Sequence, residues 1–529
     1  MKRILQLLWI LLPVSAFALS DSQLAIDCGK QYKITATPED GYKFVRWTDG
    51  ETDNPRIVTA MQDRTFEAVF EKIITGPIVI ADGESRDLSD IDIEQGGTHF
   101  VEEIIVEPGG ELNVDDSNIH IGNLVIVTDG TQSGQVHHGA ESINADHFYL
   151  EYILNPCGEL ASPDRWYAIS VPFEVDIATG ISRTCDSKTL VSGTDFLVKE
   201  YNGIWRALLG KGWSNKTKGS LNAGQFYMIG IDGTCNRWRF EKKAGKPYEG
   251  DTHVAYQEYN SNNNNEDAGW NGLGNTMLKY MRMNMGLSSI GYVVTYDNCF
   301  GRYVTRLIAE INLCVGQPFF IQASSDGYFD FFFGSGSANM PALYATQAAT
   351  PMMHFTLTDE TQSTGIDHMY LTMHEDADGT YTIGRDVARM TKDCKTAAQL
   401  WCSLSDGTEL SAHGISIPET ETVVPVTLFA PTKGEYLLNM SSRAMIDYQV
   451  ELLFQDTYLA TLFEGQPVTL NLNAGTNSGY AFRITRRNMP TGVETVQGNK
   501  VQSTKVLIDN HLYILRGEHV YDAQGKQVK

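Results

Sequence analysis

The length and spacing of the apolar runs constrain the fold of this 529-residue chain more than any other feature. The runs are short, rich in β-branched and aromatic residues, and separated by Gly, Asn, Asp or Pro, which is typical of strands joined by turns. Helical periodicity is nearly absent. The best helical candidate outside the N-terminal segment is residues 391–401, TKDCKTAAQLW, at most about three turns. The sequence therefore predicts an all-β protein.

The N-terminal segment, residues 1–18, predicts an export signal. Two basic residues precede an apolar run over residues 4–14, and Ala16 and Ala18 form a small-x-small cleavage pattern. The run is too short for a stable membrane anchor, and no later run approaches the ~20 apolar residues of a membrane-spanning helix. We therefore expect export, cleavage before Leu19 and no transmembrane segment after cleavage.

The charge of the chain restricts its partners. There are 41 Lys and Arg residues against 65 Asp and Glu residues, a net charge of −24. Such a charge repels phosphate backbones and leaves no basic stripe, so we expect no nucleic-acid partner. The hydrophobic share of 42% is enough for several packed cores.

The eight cysteines are too few for a disulfide scaffold. Six fall in near pairs, and local disulfides or buried free thiols are both open readings. No Cys/His cluster indicates a metal site, and adjacent His137 and His138 would point to opposite faces of a strand. We therefore expect neither a metal nor a cofactor. The near pairs are Cys185 with Cys235, Cys299 with Cys314, and Cys394 with Cys402.

Residues 29–72 contain an ordered set of aromatic and turn residues. The set is Gly41, Tyr42, Phe44, Trp47, Asp49, Gly50, Asn54, Pro55, Asp63, Ala68, Val69 and Phe70. It resembles the divergent internalin-type B-repeat, also called the Listeria–Bacteroides repeat. The resemblance implies a small β-grasp-like sheet in a cell-surface module without catalysis. Strand alternation favours Trp47 as a core residue over a sugar-binding one.

Two regions follow this module. In residues 75–155, short strands spaced by Gly-Gly pairs predict a β-solenoid or a small sandwich. Residues 160–257 and 269–340, here called units A and B, repeat one order of marks: a Trp-led strand, a Tyr-containing turn, then Gly-Gln before an aromatic strand. They predict tandem β-sandwich units of one topology. Both regions resemble parts of Bacteroidota exported proteins.

Residues 350–488 predict an immunoglobulin-like β-sandwich. The strands resemble the region that precedes the sorting domain in cargo of the type IX secretion system. The residues that carry this resemblance are Gly384, Arg385, Asp386, Leu400, Trp401, Gly434, Glu435, Tyr436, Leu452, Leu453, Gly479, Tyr480 and Arg483.

A linker, residues 489–504, precedes a short alternating segment over residues 505–529. Its main marks are Tyr513, Tyr521, Asp522, Gly525 and Lys526. It resembles a C-terminal sorting segment of type IX cargo, which implies the outer-membrane secretion machinery as a partner. The alternative is an ordinary strand pair that docks on the preceding sandwich.

No motif for a catalytic nucleophile, zinc hydrolase or phosphate loop is found in the sequence. We expect an exported cell-surface or secreted non-catalytic β protein, adhesive or structural, with a glycan or host protein as ligand. The alternative is a glycan-processing enzyme or its accessory subunit, because a carboxylate pair is set by the fold and not by sequence spacing. Tyr201, Trp205 and Trp213 form the candidate ligand platform.

Overall fold

The computed structural model confirms the all-β class. Its described part contains one α-helix and one short 3-10 turn, and no helix there is long and apolar enough to span a membrane. The structure describes residues 2–7, 22–27, 29–59, 61, 66–91, 99–114, 119–138, 143–154, 166–186, 188–231, 235–245, 253–259, 265–283, 291–308, 311–333, 350–390, 394–487, 503–508, 511–516, 519–522 and 526–528.

The first module has a small aromatic core. Trp47 is buried and donates its indole N–H to the Asp53 carbonyl at 2.9 Å. Ile34, Ala36 and Phe66 complete this core, so Trp47 is a core residue as its strand alternation predicted. The strands are β1 (Lys2–Leu7), β2 (Ser22–Asp27), β3 (Gln31–Ile34), β4 (Tyr42–Trp47), β5 (Arg56–Thr59) and β6 (Ala68–Ile80).

The next region is a β-solenoid. The strands are β7 (Ser85–Asp87), β8 (His99–Val106), β9 (Glu111–Val114), β10 (Ile119–Thr128), β11 (Gln135–His138) and β12 (Ala145–Ile153), with a 3-10 turn at Leu88–Asp90. β6, β8, β10 and β12 form one parallel face, and β7, β9 and β11 form the other. Ile80, Val106, Ile126 and Leu150 are paired in register and buried. Parallel stacking decides for the solenoid over the small sandwich.

Units A and B supply the middle of the chain. In unit A the elements are β13 (Trp166–Ile169), β14 (Val175–Asp176), β15 (Ile181–Arg183), β16 (Phe196–Tyr201), α1 (Gly203–Leu209), β17 (Trp213–Asn215), β18 (Ser220–Leu221), β19 (Tyr227–Ile231) and β20 (Arg237–Glu241). In unit B they are β21 (His253–Tyr256), β22 (Trp270–Gly274), β23 (Met281–Met283), β24 (Tyr292–Asp297), β25 (Arg302–Leu307), β26 (Pro318–Gln322) and β27 (Gly327–Phe333).

The two units share one topology and one register. Their main sheets have the orders β13-β19-β16-β17 and β22-β26-β24-β25, so the last of the four strands lies beside the first in both. Trp166 lies opposite Gly230, which is six residues after Gly224. Trp270 lies opposite Gln322, which is likewise six residues after Gly316. The predicted repeat is therefore confirmed at the level of individual residue pairs.

The sheet structure is continuous across two of the predicted boundaries. β6 runs from Ala68 to Ile80 and so passes through residues 72–75, pairing with β4 near its start and with β8 along the rest. β20 of unit A pairs antiparallel with β12 of the solenoid. A seven-stranded sheet in the order β15-β20-β12-β10-β8-β6-β4 therefore joins the first module, the solenoid and unit A.

The immunoglobulin-like region folds into one curled sheet of eleven strands, antiparallel except for the pair β29–β32. Its core is continuous with unit B, because Phe355 and Leu400 belong to the same buried cluster as Trp270 and Phe320. The strands are β28 (Met352–Asp359), β29 (Asp367–His374), β30 (Val387–Ala388), β31 (Gln399–Ser403), β32 (Glu409–Ser416), β33 (Glu421–Ala430), β34 (Gly434–Arg443), β35 (Tyr448–Phe454), β36 (Thr457–Leu462), β37 (Val468–Leu472) and β38 (Gly475–Arg486).

The helix predicted within residues 391–401 is not formed in the part of it that is described. Gln399 begins β31 and pairs with Phe429 of β33. Pairing and burial in the sheet override the helical preference of Ala397 and Ala398, because tertiary packing outweighs a weak local propensity.

The last described sheet has three antiparallel strands, one more than the predicted hairpin. Within the described chain its strands pair only with one another. They are β39 (Ser503–Ile508), β40 (His511–Arg516) and β41 (His519–Asp522).

Candidate functional site

The three residues of the predicted platform lie in different environments. Tyr201 and Trp213 pack against each other, with ring centroids 5.2 Å apart, and Tyr201 lies 4.6 Å from the Phe320 ring. Burial raises the pKa of the Tyr201 hydroxyl above its ordinary value. Trp205, in contrast, is 47% exposed on α1. Only Trp205 is therefore presented to a ligand.

Local sequence signals define both ends of α1. The side chain of Asn202 accepts a hydrogen bond from the Trp205 backbone N–H at 2.9 Å, which satisfies one of the free amides of the first turn. Gly210 ends the helix in a left-handed conformation, φ +64°, and donates its N–H to the Arg206 carbonyl at 2.8 Å. The helix is thus capped at both termini although it has only seven residues.

The inward side of α1 packs on unit B. A Cβ at Gly203 would lie 2.3 Å from the Trp270 carbonyl oxygen, so only glycine allows this approach. The Arg206 guanidinium lies 4.8 Å from the Trp270 ring centroid and 3.2 Å from the Asp267 carboxylate. Ala207 is half-buried against the same core. Polar and small residues therefore hold the helix to the body.

The opposite side of α1 is apolar and exposed. Its four side chains, here called the outward face, are 48%, 47%, 64% and 68% exposed. Soluble helices usually direct such residues to the core and charged ones to water, so the polarity of α1 is reversed. The outward face consists of Ile204, Trp205, Leu208 and Leu209.

The segment around α1 is basic, whereas the chain as a whole is acidic. Residues 199–218 contain five Lys and Arg residues and one acidic residue, Glu200, in a protein of net charge −24. Lys216 pairs with Glu200 at 2.7 Å. Lys211 and Lys218 are exposed and make no ion pair with any residue that the structure describes. Lys211 therefore places a positive charge without an ion-pair partner in the described chain just after the outward face, while Lys218 lies beyond β17.

A second concave region lies on the immunoglobulin-like sheet, a cleft of about 520 Å³. The Arg389 guanidinium lies 3.8 Å from the Trp401 ring centroid and is held by Glu409 at 2.6 Å and by Gln399. Arg389 covers the ring, and Trp401 is 6% exposed. A sugar cannot stack on Trp401 in this arrangement.

The motif residues of the immunoglobulin-like region fill structural positions. Asp386 is buried and accepts hydrogen bonds from His413 Nδ1 at 2.8 Å and from the Gly414 N–H at 2.7 Å, which fixes β32. The Tyr436 hydroxyl donates to the Thr432 carbonyl at 2.9 Å and secures a turn. Their roles are accounted for by the fold.

The export and sorting residues are only partly described. Ala16, Ala18 and Gly525 lie outside the described residues, while β1, within the predicted export signal, pairs with β2. Tyr513 lies in β40, and Tyr521 lies in β41. Asp522 accepts a hydrogen bond from the Lys526 backbone N–H at 2.8 Å, which closes a turn after β41.

One of the three cysteine near pairs is a disulfide, Cys185–Cys235. In the other two near pairs the structure supports the free-thiol alternative at Cys314, Cys394 and Cys402. Burial raises the pKa of the Cys314 thiol to about 12, so this cysteine behaves as an apolar side chain. No cluster of three or more His, Cys, Asp or Glu residues suited to a metal occurs in the described chain.

Residues 18–74 match the divergent InlB B-repeat domain family. The match includes the predicted module at 29–72 and indicates a surface or structural role for it. No curated protein and no solved structure matches the chain.

Proposed function

We propose that this chain is an exported, non-catalytic β protein of the bacterial cell surface, adhesive or structural, from a member of the Bacteroidota. The observation that carries the proposal is the B-repeat match at residues 18–74. A single seven-stranded sheet continues from that module through the solenoid into unit A. Such continuity suits a scaffold that holds a binding surface at a fixed distance and orientation.

Surface exposure is tested by protease treatment of intact cells that express the full chain. Externally added protease should degrade the protein while a periplasmic marker stays intact, and the mature N-terminus should be Leu19. Protection of the chain until the outer membrane is opened would contradict a surface location. A protein that retains Met1 outside the cell would contradict cleavage at Ala18.

Binding of a glycan or a host protein is the adhesive form of the proposal. A glycan array and a panel of host matrix proteins, probed with the mature chain, should show saturable binding to one class. The alternative, a glycan-processing enzyme or its accessory subunit, predicts reducing ends released from polysaccharides. Release at a rate above that of a heat-denatured sample would replace the non-catalytic proposal.

The C-terminal segment is proposed to be a sorting signal read by the outer-membrane secretion machinery. The three strands from β39 to β41 pair with no other sheet in the described chain, which fits removal without damage to the rest. Truncation after Gly498 should leave the melting temperature nearly unchanged and should trap the protein in the periplasm. Normal surface display of the truncated chain would rule out sorting, and a clear loss of stability would favour docking.

A further inference from the structure

The outward face of α1 is unexplained by the fold. Ile204 and Leu208 form one i, i+4 row, and Trp205 and Leu209 form the row beside it, so the four side chains make one continuous strip. The inward residues Gly203 and Arg206 attach the helix to unit B through Trp270 and Asp267. Four neighbouring apolar side chains that are between 47% and 68% exposed reduce solubility and call for an external partner.

We propose that the outward face of α1 docks on an anionic lipid surface, with Lys211 at the level of the headgroups. Trp205 and the three aliphatic side chains would lie in the boundary between headgroups and acyl chains. This inference goes beyond the surface role proposed above and does not depend on it.

Charge identifies the occupant. The body of the protein is strongly acidic, but the segment 199–218 is basic, and the exposed Lys211 follows the apolar strip by two residues. The partner must therefore offer negative charge beside apolar material. An anionic bilayer offers both, and the pairing of basic residues with Trp and Leu is typical of helices that lie in a membrane interface. The acidic remainder of the chain is repelled, which orients α1 toward the surface.

The chemistry of the strip argues against a sugar. Sugars are bound by an aromatic ring together with hydrogen-bonding groups, and three of the four side chains are aliphatic with no polar atom. The strip is also convex, on a helix of seven residues, so it inserts and does not enclose. A protein groove with an acidic rim could also accept it, and the experiment below separates that case.

The test is co-sedimentation of the full chain with vesicles. Phosphatidylglycerol mixed with phosphatidylethanolamine is the anionic probe, and phosphatidylcholine alone is the neutral one. We expect binding to the anionic vesicles that weakens as salt is raised, and much weaker binding to the neutral ones. With brominated lipid, fluorescence quenching should be present in the native chain and largely lost in Trp205→Phe.

Two pairs of variants locate the contact. Leu208→Ser with Leu209→Ser removes half of the strip, and Lys211→Glu with Lys218→Glu reverses the two lysine charges of the basic segment that make no ion pair in the described chain. Each pair should reduce partitioning to anionic vesicles by roughly tenfold or more. Ile446→Ser, at a position 77% exposed, and Lys433→Glu, also exposed, are the matched controls and should bind as the native chain does.

Each outcome either supports or overturns docking through α1. All six positions are exposed, so the variants should keep the native circular dichroism and melting temperature, and this is checked first. No binding of the native chain to anionic vesicles overturns the proposal and favours a protein groove. Native-level binding by both paired variants, or an equal loss in the controls, also overturns it, because α1 would then not be the contact.

Discussion

Units A and B have the same four-stranded sheet but complete it in different ways. In unit A, Ile229 faces the solenoid core, and β15 and β20 join the solenoid sheet. In unit B, Ile321 occupies the same register position and packs in a separate core with Met281, covered by strands of the unit itself. The same alternation of side chains therefore places Ile229 and Ile321 inward in both units. The strands that cover them differ, because the solenoid does so in unit A and strands of the unit itself do so in unit B.

The units differ most in the connection between their second and third strands. Tyr201 and Trp213 are paired across residues 202–212, whereas Tyr296 and Tyr303 are paired across residues 297–302. In unit B the connection ends in Arg302, which is buried and donates to carbonyls of the immunoglobulin-like region. In unit A it carries α1 outward. The short connection of unit B is enough to join the two strands, so we expect the longer connection of unit A to have a role beyond joining them.

The largest expected difference between the units is at their leading tryptophans. Trp270 is fully buried and donates its indole N–H to the Glu266 carbonyl at 2.8 Å, so Trp270→Ala should destabilise the protein by about 3–5 kcal/mol. Trp166 is half-buried with Lys199 Nζ 4.0 Å from its ring centroid, so Trp166→Ala should cost about 1–2 kcal/mol. Denaturant unfolding measures both. Equal losses of unfolding free energy would mean that the position in the repeat, and not the surrounding residues, determines the cost of the substitution.

The equivalent glycines should also differ. Gly316 and Gly224 have φ of +71° and +66°, so alanine is strained at either. A Cβ at 316 would lie 2.6 Å from Leu150 and 2.9 Å from the Ser170 carbonyl oxygen, while a Cβ at 224 would meet chiefly Thr276 Cγ2, which can rotate. Gly316→Ala should cost about 2–4 kcal/mol and Gly224→Ala about 1–2 kcal/mol. Thermal melts that reverse this order would contradict the packing argument.

The sequence predicted what local alternation controls. The repeat marks at Gly-Gln and the Trp-led strands lie in equivalent register because each mark is a turn or an inward side chain, both readable from short windows. The pairing of β20 with β12 was not predictable, because strand partners distant in sequence leave no local signal. Proximity in the sequence likewise could not decide between a disulfide and free thiols for Cys394 and Cys402, which are free thiols in the structure.

The helix α1 was missed although its caps are visible. Asn202 and Gly210 are a cap pair that predicts a short helix between them. The repeat predicts only a Tyr-containing turn at this point, and the segment is short and rich in aromatic residues, which gives little helical periodicity. The sequence could not show that Trp205 is exposed while Tyr201 and Trp213 are half-buried, because that difference depends on tertiary contacts with Phe320.

A third prediction concerns the contact of unit B with the immunoglobulin-like region. Arg306 of β25 is bonded to His368, whose Nδ1 lies 2.8 Å from His354 Nε2. Burial, reinforced by the Arg306 charge, lowers the pKa of His354 to about 4 and that of His368 to about 2. The equivalent residue in unit A, Lys216, pairs instead with an acidic side chain near the surface.

The sign of this pH effect follows from the lowered pKa values. Below the ordinary histidine pKa of about 6.5, the unfolded chain binds protons that the folded chain does not, so stability falls as pH drops toward 4. Replacing His354 and His368 by Gln should reduce that loss by about 1–3 kcal/mol. Denaturant midpoints between pH 7 and about 4 measure it. His519→Gln, at an exposed position, is the control, and an unchanged pH slope in the double variant would refute the assignment.

The smallest effect is expected when the connection of unit A is shortened to the length found in unit B. Replacing residues 203–211 by Gly-Asp-Asn-Gly keeps a glycine after Asn202, where the chain passes close to Trp270, and keeps Gly212, where a Cβ would lie 2.4 Å from the Tyr201 ring. The change removes the partly buried Arg206–Asp267 ion pair and the ring contact of Arg206, together worth about 1 kcal/mol, and a shorter loop offsets part of that loss. The melting temperature should therefore stay within about 4 °C of the native value. A much larger drop would show that α1 supports the core, and the contrast between the two units would then be structural.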